Sequence, residues 1–222
     1  MTVDEVTRAF HDRYYRSEVW RNTYWHSTPV LKCPLDLWIY QEVVAAVRPA
    51  LIVECGTWAG GSALFLAHTL DIIGNGRIIT IDVLDTGQVK DHYQQHDPAG
   101  GSGLRIRPPH TRIEYLLGSS TDCATVEYVA AALPSEGAIM VIADSDHSLA
   151  HAYAELDAYY GFVTAGSYFI MEDTNIPASG PAQAVDLFLA DHPEFVVDAT
   201  REKFLLTFNP GGFLRRQGTP AR

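Results

Sequence analysis

The feature that most constrains the fold is an alternation of short apolar runs with longer segments of helical character. The apolar runs are ALIVEC, RIITIDV, IEYLLGSS, AIMVIAD and SYFIMED, and each ends at a glycine, a serine or an acid. Strand–helix alternation of this kind predicts one α/β domain with a doubly wound, Rossmann-like and mostly parallel sheet. The tail EFVVDATREKFLLTFNPGGFLRR predicts two further strands, the second of them antiparallel.

Two regions stand outside this alternation. Residues 1–48 predict an N-terminal helical cap, with a helix over 3–22, a loop, and a second helix capped by Asp36 that ends before Pro49. Residues 85–112 are rich in glycine, proline and polar residues. A long segment of this composition inside a compact domain is typical of a functional loop, so it is predicted to be a lid with a short helix within 87–95.

Composition narrows the class of protein. The chain has 222 residues, of which 47% are hydrophobic, enough for a single domain with a sizeable core. A net charge of -11 argues against binding to nucleic acid or to anionic membranes. The three cysteines have no CxxC spacing, and we find neither a signal-peptide pattern nor an apolar run of about 20 residues. We therefore expect a cytoplasmic protein with reduced thiols.

The first apolar run continues into the glycine-rich loop ECGTWAGGS. Glycines let the backbone turn tightly, and the following helix directs free N–H groups at an anion. Glu54 would repel a dinucleotide pyrophosphate but attract the sulfonium and ammonium of S-adenosylmethionine, and the loop departs from GxGxxG. A tight turn without a ligand is the alternative. The candidate cofactor-binding residues here are Glu54, Gly56, Thr57, Gly60, Gly61 and Ser62.

The second and third runs end in residues suited to a nucleoside. Asp82 follows the glycine loop at a distance where an acid can accept both ribose hydroxyls. Ser119 and Ser120 are small enough to leave space for an adenine and can bond to its edge. The alternatives are that Asp82 is a capping residue and that Ser120 or Thr121 caps the next helix.

The fourth and fifth runs end in carboxylates: Asp144 and Asp146 after one, Glu172 and Asp173 after the other. Neighbouring parallel strands would bring these acids together, and unpaired carboxylates at short distance repel one another. A hard cation such as Mg²⁺ removes that repulsion and takes oxygen ligands. The alternative is local: Asp146 or Ser148 would be the N-cap of a helix and Asp173 would lie in a turn.

His147 lies within the same segment and could accept the proton of a substrate hydroxyl, since an imidazole titrates near neutrality. The alternative is a histidine that supports the carboxylates. The candidate catalytic residues are therefore His147 and Asp144.

Several segments carry a family resemblance. TYWHSTPVLKCPLDLWIYQEVV, LIVECGTWAGGSALFLA, IDV, GSSTD, DSDHS and AELDAYYGFVTAGSYFIMEDTNI together resemble the cephalosporin hydroxylase / rhamnosyl O-methyltransferase family over roughly residues 20–176. The resemblance implies a class I S-adenosylmethionine-dependent methyltransferase sheet. It implies a magnesium site made of an acid of the DSD segment with Glu172 and Asp173. A more distant similarity to catechol-type methyltransferases implies Asp144 as first metal ligand and Asp146 nearer the cofactor. The implied cofactor contacts are Glu54, Gly56, Gly60, Gly61, Ser62, Asp82, Ser119 and Ser120.

The resulting hypothesis is a metal-dependent O-methyltransferase that uses S-adenosylmethionine and Mg²⁺ to methylate a hydroxyl of a small molecule. Natural-product (antibiotic) tailoring and a homo-oligomeric state are implied by the family alone. Two alternatives stay open: a non-catalytic cofactor-binding subunit that assists an oxygenase, and an NAD-dependent oxidoreductase.

Overall fold

The computed structural model describes residues 2–96, 103–176 and 180–218. Seven α-helices lie within these ranges: α1 Val3–Arg16, α2 Pro34–Val47, α3 Gly61–Ile73, α4 Thr86–His96, α5 Cys123–Ala131, α6 Leu149–Tyr159 and α7 Gly180–Asp191. The strands within them are β1 Tyr24–Trp25, β2 Thr28–Pro29, β3 Pro49–Cys55, β4 Arg77–Asp82, β5 Ile113–Leu117, β6 Ala138–Ala143, β7 Tyr168–Met171, β8 Phe195–Val197 and β9 Phe213–Arg216. None of the described helices combines the length and apolar character needed to cross a bilayer.

Strands β3 to β9 form one seven-stranded sheet in the order β5-β4-β3-β6-β7-β9-β8. The pairings from β5 through β7 are parallel, whereas β9 runs antiparallel to both β7 and β8. The predicted mostly parallel sheet with an antiparallel C-terminal strand is confirmed. The chain order reverses at β3, which lies between β4 and β6, and open α/β sheets bind ligands at such a switch point.

Helices cover both faces of the sheet. One face packs against α5, α6 and α7 through residues such as Val129, Leu156 and Phe188. The other packs against α2 and α3 through residues such as Val43 and Leu66. Because both faces are covered, the central strands are apolar without alternation, as a buried parallel sheet requires.

The N-terminal region differs in detail from the prediction. The single helix expected over 3–22 is broken: α1 ends at Arg16, Glu18 is left-handed with φ 54°, and a 3₁₀ turn follows over Val19–Asn22. Helix α2 begins earlier than expected, with Cys33 as its N-cap and Pro34 in the first turn, where a missing N–H costs nothing.

The predicted lid segment contains a helix, α4, that is longer than the expected one over 87–95. Residues 97–102 lie outside the described residues. Beyond them, the N–H of Arg105 donates to the carbonyl of Ser27 (2.9 Å), and the N–H of Arg107 donates to the carbonyl of Ala59 (2.8 Å). The second half of the segment is therefore tied to the β1–β2 hairpin and to the glycine loop.

Asp36 is not the helix cap that the sequence predicted. It lies inside the first turn of α2, is 2% exposed, and accepts a hydrogen bond from the N–H of Phe208 at 2.8 Å. Phe208 packs with Tyr15 and Trp20 of the N-terminal region. The carboxylate thus joins α2 to the segment that precedes β9.

We expect Asp36→Ala to lower the free energy of unfolding by about 1–3 kcal/mol, because the buried N–H of Phe208 loses its acceptor. Asp36→Asn keeps an acceptor oxygen in place and should lose less. Urea denaturation followed by circular dichroism measures both. Equal losses for the two variants would contradict this account of the contact.

Candidate active site

The carboxyl ends of the central strands lie side by side, joined by main-chain hydrogen bonds. The N–H of Gly56 donates to the carbonyl of Ile81 (2.8 Å), and the N–H of Asp144 donates to that of Cys55 (2.8 Å). The N–H of Glu172 continues the series to the last residue of β6 (3.0 Å). The loops after β3, β6 and β7 therefore begin side by side at the same edge of the sheet, as the sequence predicted.

A cavity of about 870 Å³ opens at these strand ends. The predicted site residues that line it are Gly56, Thr57, Ser62, Asp82, Ser119, Ser120, Asp144, Asp146, His147 and Asp173. The predicted residues that lie outside its lining are Glu54, Gly60, Gly61 and Glu172. One cavity thus holds the expected nucleoside residues and most of the expected metal ligands.

Two glycines of the loop allow neighbouring backbone segments to approach closely. Gly56 has φ 95°, and a Cβ on it would lie 1.7 Å from the carbonyl oxygen of Asp144. A Cβ on Gly61 would lie 2.1 Å from the carbonyl oxygen of Pro29. Gly56 therefore lets the loops after β3 and β6 touch, while Gly61 lets α3 pack on the β1–β2 hairpin.

Glu54 lies directly behind the glycine loop and is 0% exposed. Its Oε2 accepts a hydrogen bond from Thr80 Oγ1 (2.6 Å), whereas Oε1 has no hydrogen-bond partner among the described residues. Burial raises the pKa of this carboxyl, and Lys32 and Ser62 oppose the rise. An orphaned buried acceptor beside the start of α3 fits a ligand with an ammonium group, such as the amino-acid end of S-adenosylmethionine.

Asp82 lines the cavity with both carboxylate oxygens engaged. Oδ2 accepts from the N–H of Trp58 (2.6 Å) and Oδ1 from the N–H of Leu84 (2.9 Å), and Arg107 Nη2 lies 3.2 Å from Oδ2. Each carboxylate oxygen has two acceptor directions, so a ribose hydroxyl can still bind. Asp82 therefore also fixes the glycine loop, a role that the sequence did not indicate.

Three side chains converge on the cavity floor: Asp144, His147 and Asp173 each place one ligand atom within 4.8 Å of the others. His147 Nε2 lies 3.2 Å from Asp173 Oδ2 and 3.6 Å from Asp144 Oδ1. Burial, followed by repulsion from Asp144, raises the pKa of Asp173 to about 6. The hydrogen bond to Asp144 raises the pKa of His147 to about 9 against the opposing effect of burial. Negative charge is crowded here, as a cation site requires.

A lysine that the sequence analysis missed lies behind this group. Lys32 is 3% exposed, and its Nζ lies 2.5 Å from both Asp144 Oδ2 and Glu172 Oε1. Burial disfavours the ammonium, but the two carboxylates outweigh it and raise the pKa of Lys32. The signal in the sequence was a single charge within the apolar loop PVLKCPL.

The donor set fits a hard divalent cation. Asp144 Oδ1 and Asp173 Oδ2 lie within the group that lines the cavity, while Lys32 holds Glu172 Oε1 behind it. When Asp144, Asp173 and Glu172 are ionised and both Lys32 and His147 are protonated, the group carries one net negative charge. Loss of the His147 proton raises this to two negative charges, which a dication balances.

Asp146 is not brought into this group. It is exposed, and its Oδ1 accepts from the N–H of Ser148 (2.8 Å), the N-cap of α6, whose Oγ in turn accepts from the N–H of His151. Asp146 is therefore held in the turn that leads into α6, and Ser148, the second of the two caps that the alternative interpretation named, is the N-cap. The structure places Asp144, rather than Asp146, beside Asp173.

The fold and the site together define a class of protein: an α/β enzyme with a nucleoside-sized cavity and a cluster of acids at the switch point of a seven-stranded sheet. The chain matches the family model "Rhamnosyl O-methyltransferase/CmcI" over residues 17–217. It belongs to this family, and the predicted enzyme class, an S-adenosylmethionine-dependent O-methyltransferase, is confirmed at that level.

Curated relatives of this chain are named as rhamnosyl O-methyltransferases. The chain is 32% identical over 227 residues to a rhamnosyl O-methyltransferase of Mycobacterium leprae (strain TN), which covers 96% of this chain and 92% of the relative. It is 33% identical over 226 residues to the rhamnosyl O-methyltransferase of Mycobacterium tuberculosis (strain ATCC 25618 / H37Rv), covering 96% and 86%.

Solved structures show the same fold. The apo structure of CmcI-N160 superposes with a TM-score of 0.64 at 22% identity, covering 90% of this chain and 78% of that one. CmcI-D160 with Mg and S-adenosylmethionine gives 0.63 at 22% identity, with 89% and 78% covered. An O-methyltransferase from Bacillus cereus in complex with S-adenosylhomocysteine gives 0.51 at 16% identity, with 84% and 81% covered.

We expect Lys32→Met to lower the free energy of unfolding by about 3–5 kcal/mol in the presence of a chelator, because the carboxylates of Asp144 and Glu172 lose their buried partner. Lys203→Met is the matched control: Lys203 pairs with Glu42 at 2.6 Å, but the side chains are 47% and 29% exposed. The control should lose at most about 1 kcal/mol. Urea denaturation measures both variants, and a similar small loss for each would show that Lys32 does not hold the acids.

Proposed function

We propose that this protein transfers a methyl group from S-adenosylmethionine to a hydroxyl of a small molecule, with a divalent cation, Mg²⁺, held by Asp144 and Asp173. One observation carries the proposal: a single cavity is lined by the cofactor-type residues Asp82 and Ser120 and by the acids of the cation group. Donor and acceptor would then meet where the reaction takes place, and such alignment supplies much of the rate enhancement.

The cofactor would extend along the strand ends. Its ammonium would lie by the orphaned Glu54, its ribose by Asp82, and its adenine by Ser119 and Ser120. The sulfonium methyl would then face the cation group. This arrangement also supports the methyltransferase over the nicotinamide alternative, since a buried carboxylate beside the glycine loop, with one oxygen that has no hydrogen-bond partner among the described residues, is unfavourable to a pyrophosphate.

A bound dication would polarise the acceptor hydroxyl and, by neutralising the carboxylates around His147, lower the pKa of that imidazole. His147 lines the cavity, and its Nε2 would take the hydroxyl proton. The acceptor oxygen then forms a bond to the methyl carbon, the carbon–sulfur bond breaks, and its electron pair stays on sulfur as the neutral thioether. Lys32, which donates no proton in this scheme, keeps Asp144 in place throughout.

The acceptor would enter from the N-terminal side of the cavity, which is lined by Trp20, Arg21, Asn22 and Tyr24. Aromatic rings with polar neighbours suit a ligand that has both apolar surface and hydroxyl groups. Together with the curated relatives, this makes a rhamnosyl group on a natural product the first acceptor to test. A role in antibiotic tailoring is an extension of the same proposal.

The lid is also part of the proposal. Helix α4 contributes His92 and Tyr93 to the cavity, and Tyr93 OH accepts a hydrogen bond from Trp58 Nε1 (2.9 Å) in the glycine loop. Through this contact α4 would cover the cofactor and shield the reaction from water.

Mn²⁺, a spectroscopic substitute for Mg²⁺, tests the cation site without a turnover assay. We expect Asp144→Asn and Asp173→Asn each to weaken Mn²⁺ binding at least about tenfold, since each removes a charged ligand. Asp157→Asn, on the exposed side of α6, is the control and should bind like the unmodified protein. The free Mn²⁺ signal in electron paramagnetic resonance gives the affinities, and unchanged binding in both site variants would refute the assignment.

A turnover assay with rhamnosides tests the base. We expect His147→Ala to lower kcat by about 10²–10⁴-fold with little change in the KM for S-adenosylmethionine, because a general base contributes about that much. Mass spectrometry of S-adenosylhomocysteine and methylated product measures the rate. A variant with full kcat would show that another group takes the proton.

A further inference from the structure

The structure contains a buried carboxylate that the proposed methyl transfer does not use. Glu155 of α6 is 1% exposed, and its Oε1 accepts hydrogen bonds from Ser120 Oγ (2.5 Å) and Ser145 Oγ (2.6 Å). His151 Nε2 lies 3.3 Å from the same oxygen. Both serines and the histidine line the cavity, so Glu155 supports one stretch of the cavity wall from behind.

The carboxylate fixes the direction of these hydrogen bonds. An ionised carboxylate only accepts, so the hydroxyl protons of Ser120 and Ser145 point into the protein towards Glu155. The two hydroxyls therefore present only oxygen lone pairs, which are hydrogen-bond acceptors, to the cavity. The hydrogen bond to Glu155 also raises the pKa of His151, and Nε2 of this histidine lies 3.2 Å from Ser120 Oγ as well as 3.3 Å from Glu155 Oε1. The two serine hydroxyls therefore accept hydrogen bonds from a ligand and do not donate them.

Ser120 is held in this orientation at a second point. Its carbonyl oxygen accepts a hydrogen bond from Tyr159 OH (2.6 Å), and Tyr159 is 0% exposed. Ser120 follows β5 and Ser145 follows β6, and both side chains donate a hydrogen bond to Glu155 of α6. The loops after β5 and β6, two strands that are not neighbours in the sheet, are thus joined by hydrogen bonds to Glu155.

We propose that Glu155 is a positioning residue for base selectivity: through Ser120 and Ser145 it selects a 6-aminopurine, which donates, over a 6-oxopurine, which presents an acceptor at the same edge. The inference rests on the proposed function, which places the adenine of the cofactor at the loop after β5. A 6-oxo group would set two acceptors against each other, and a buried polar group left without a partner is unfavourable.

The test is calorimetric binding of S-adenosylhomocysteine and of S-inosylhomocysteine, its 6-oxo counterpart, to the full chain. The unmodified protein should bind the adenosyl compound at least about tenfold more tightly. In Glu155→Gln the side-chain amide donates as well as accepts, so a serine hydroxyl can turn its proton to the cavity. The preference should then fall to within about threefold.

Further variants separate selectivity from folding. Ser145→Ala, which leaves Glu155 in place, should reduce the preference in the same direction. Asp157→Asn, on the exposed side of the same helix, is the control and should leave the ratio of the two affinities unchanged. A Glu155→Gln protein that loses affinity for both compounds equally, or an unmodified protein without a preference, would overturn the inference while leaving methyl transfer intact. Failure of the unmodified protein to bind S-adenosylhomocysteine would overturn both.

Discussion

The site depends on one buried ion-pair arrangement, in which Lys32 lies between Asp144 and Glu172. Two carboxylates from neighbouring strands cannot be desolvated together without a compensating charge, because burial and mutual repulsion both favour protonation. The lysine supplies that charge from a loop far away in the sequence. It also leaves Asp144 Oδ1 on the side of His147 and Asp173, where a cation can use it. The loop before α2 therefore contributes to the candidate active site through Lys32.

The alignment of the strand ends at one edge of the sheet follows from the hydrogen bonding of the sheet itself. Main-chain hydrogen bonds from one strand end to the next place the loops after β3, β6 and β7 at one edge, whatever their side chains are. Gly56 then permits a contact that no other residue would allow. Apart from Lys32, the candidate cation and nucleoside residues therefore lie at the end of a sheet strand or within four positions after it. This is why an analysis of strand ends alone locates most of the cavity.

Sequence patterns predicted those parts of the structure that depend on local features, namely the repeated apolar runs and the residues at their ends. The order of strands and helices, the antiparallel β9, and the meeting of Asp144 with Asp173 all follow from apolar runs and their end residues. The same patterns could not predict Lys32, Arg107 or Glu155, whose partners are distant in the chain. Asp36 shows the converse error: a residue typical of a cap turned out to bind a distant main-chain N–H.

Glu54 and Glu155 show how a buried acid acts without lining the cavity. Each is at most 1% exposed, and each accepts from side chains that do face the cavity or lie beside it. A carboxylate in such a position cannot donate, so every hydroxyl bound to it has its proton direction determined. Whether a hydroxyl of the cavity wall donates or accepts a hydrogen bond is then determined by a residue that lies behind the surface a ligand contacts. An acid on the apolar stripe of a helix, as Glu155 is on α6, is the sequence signal for this arrangement, because burial is unfavourable to it unless several donors surround it.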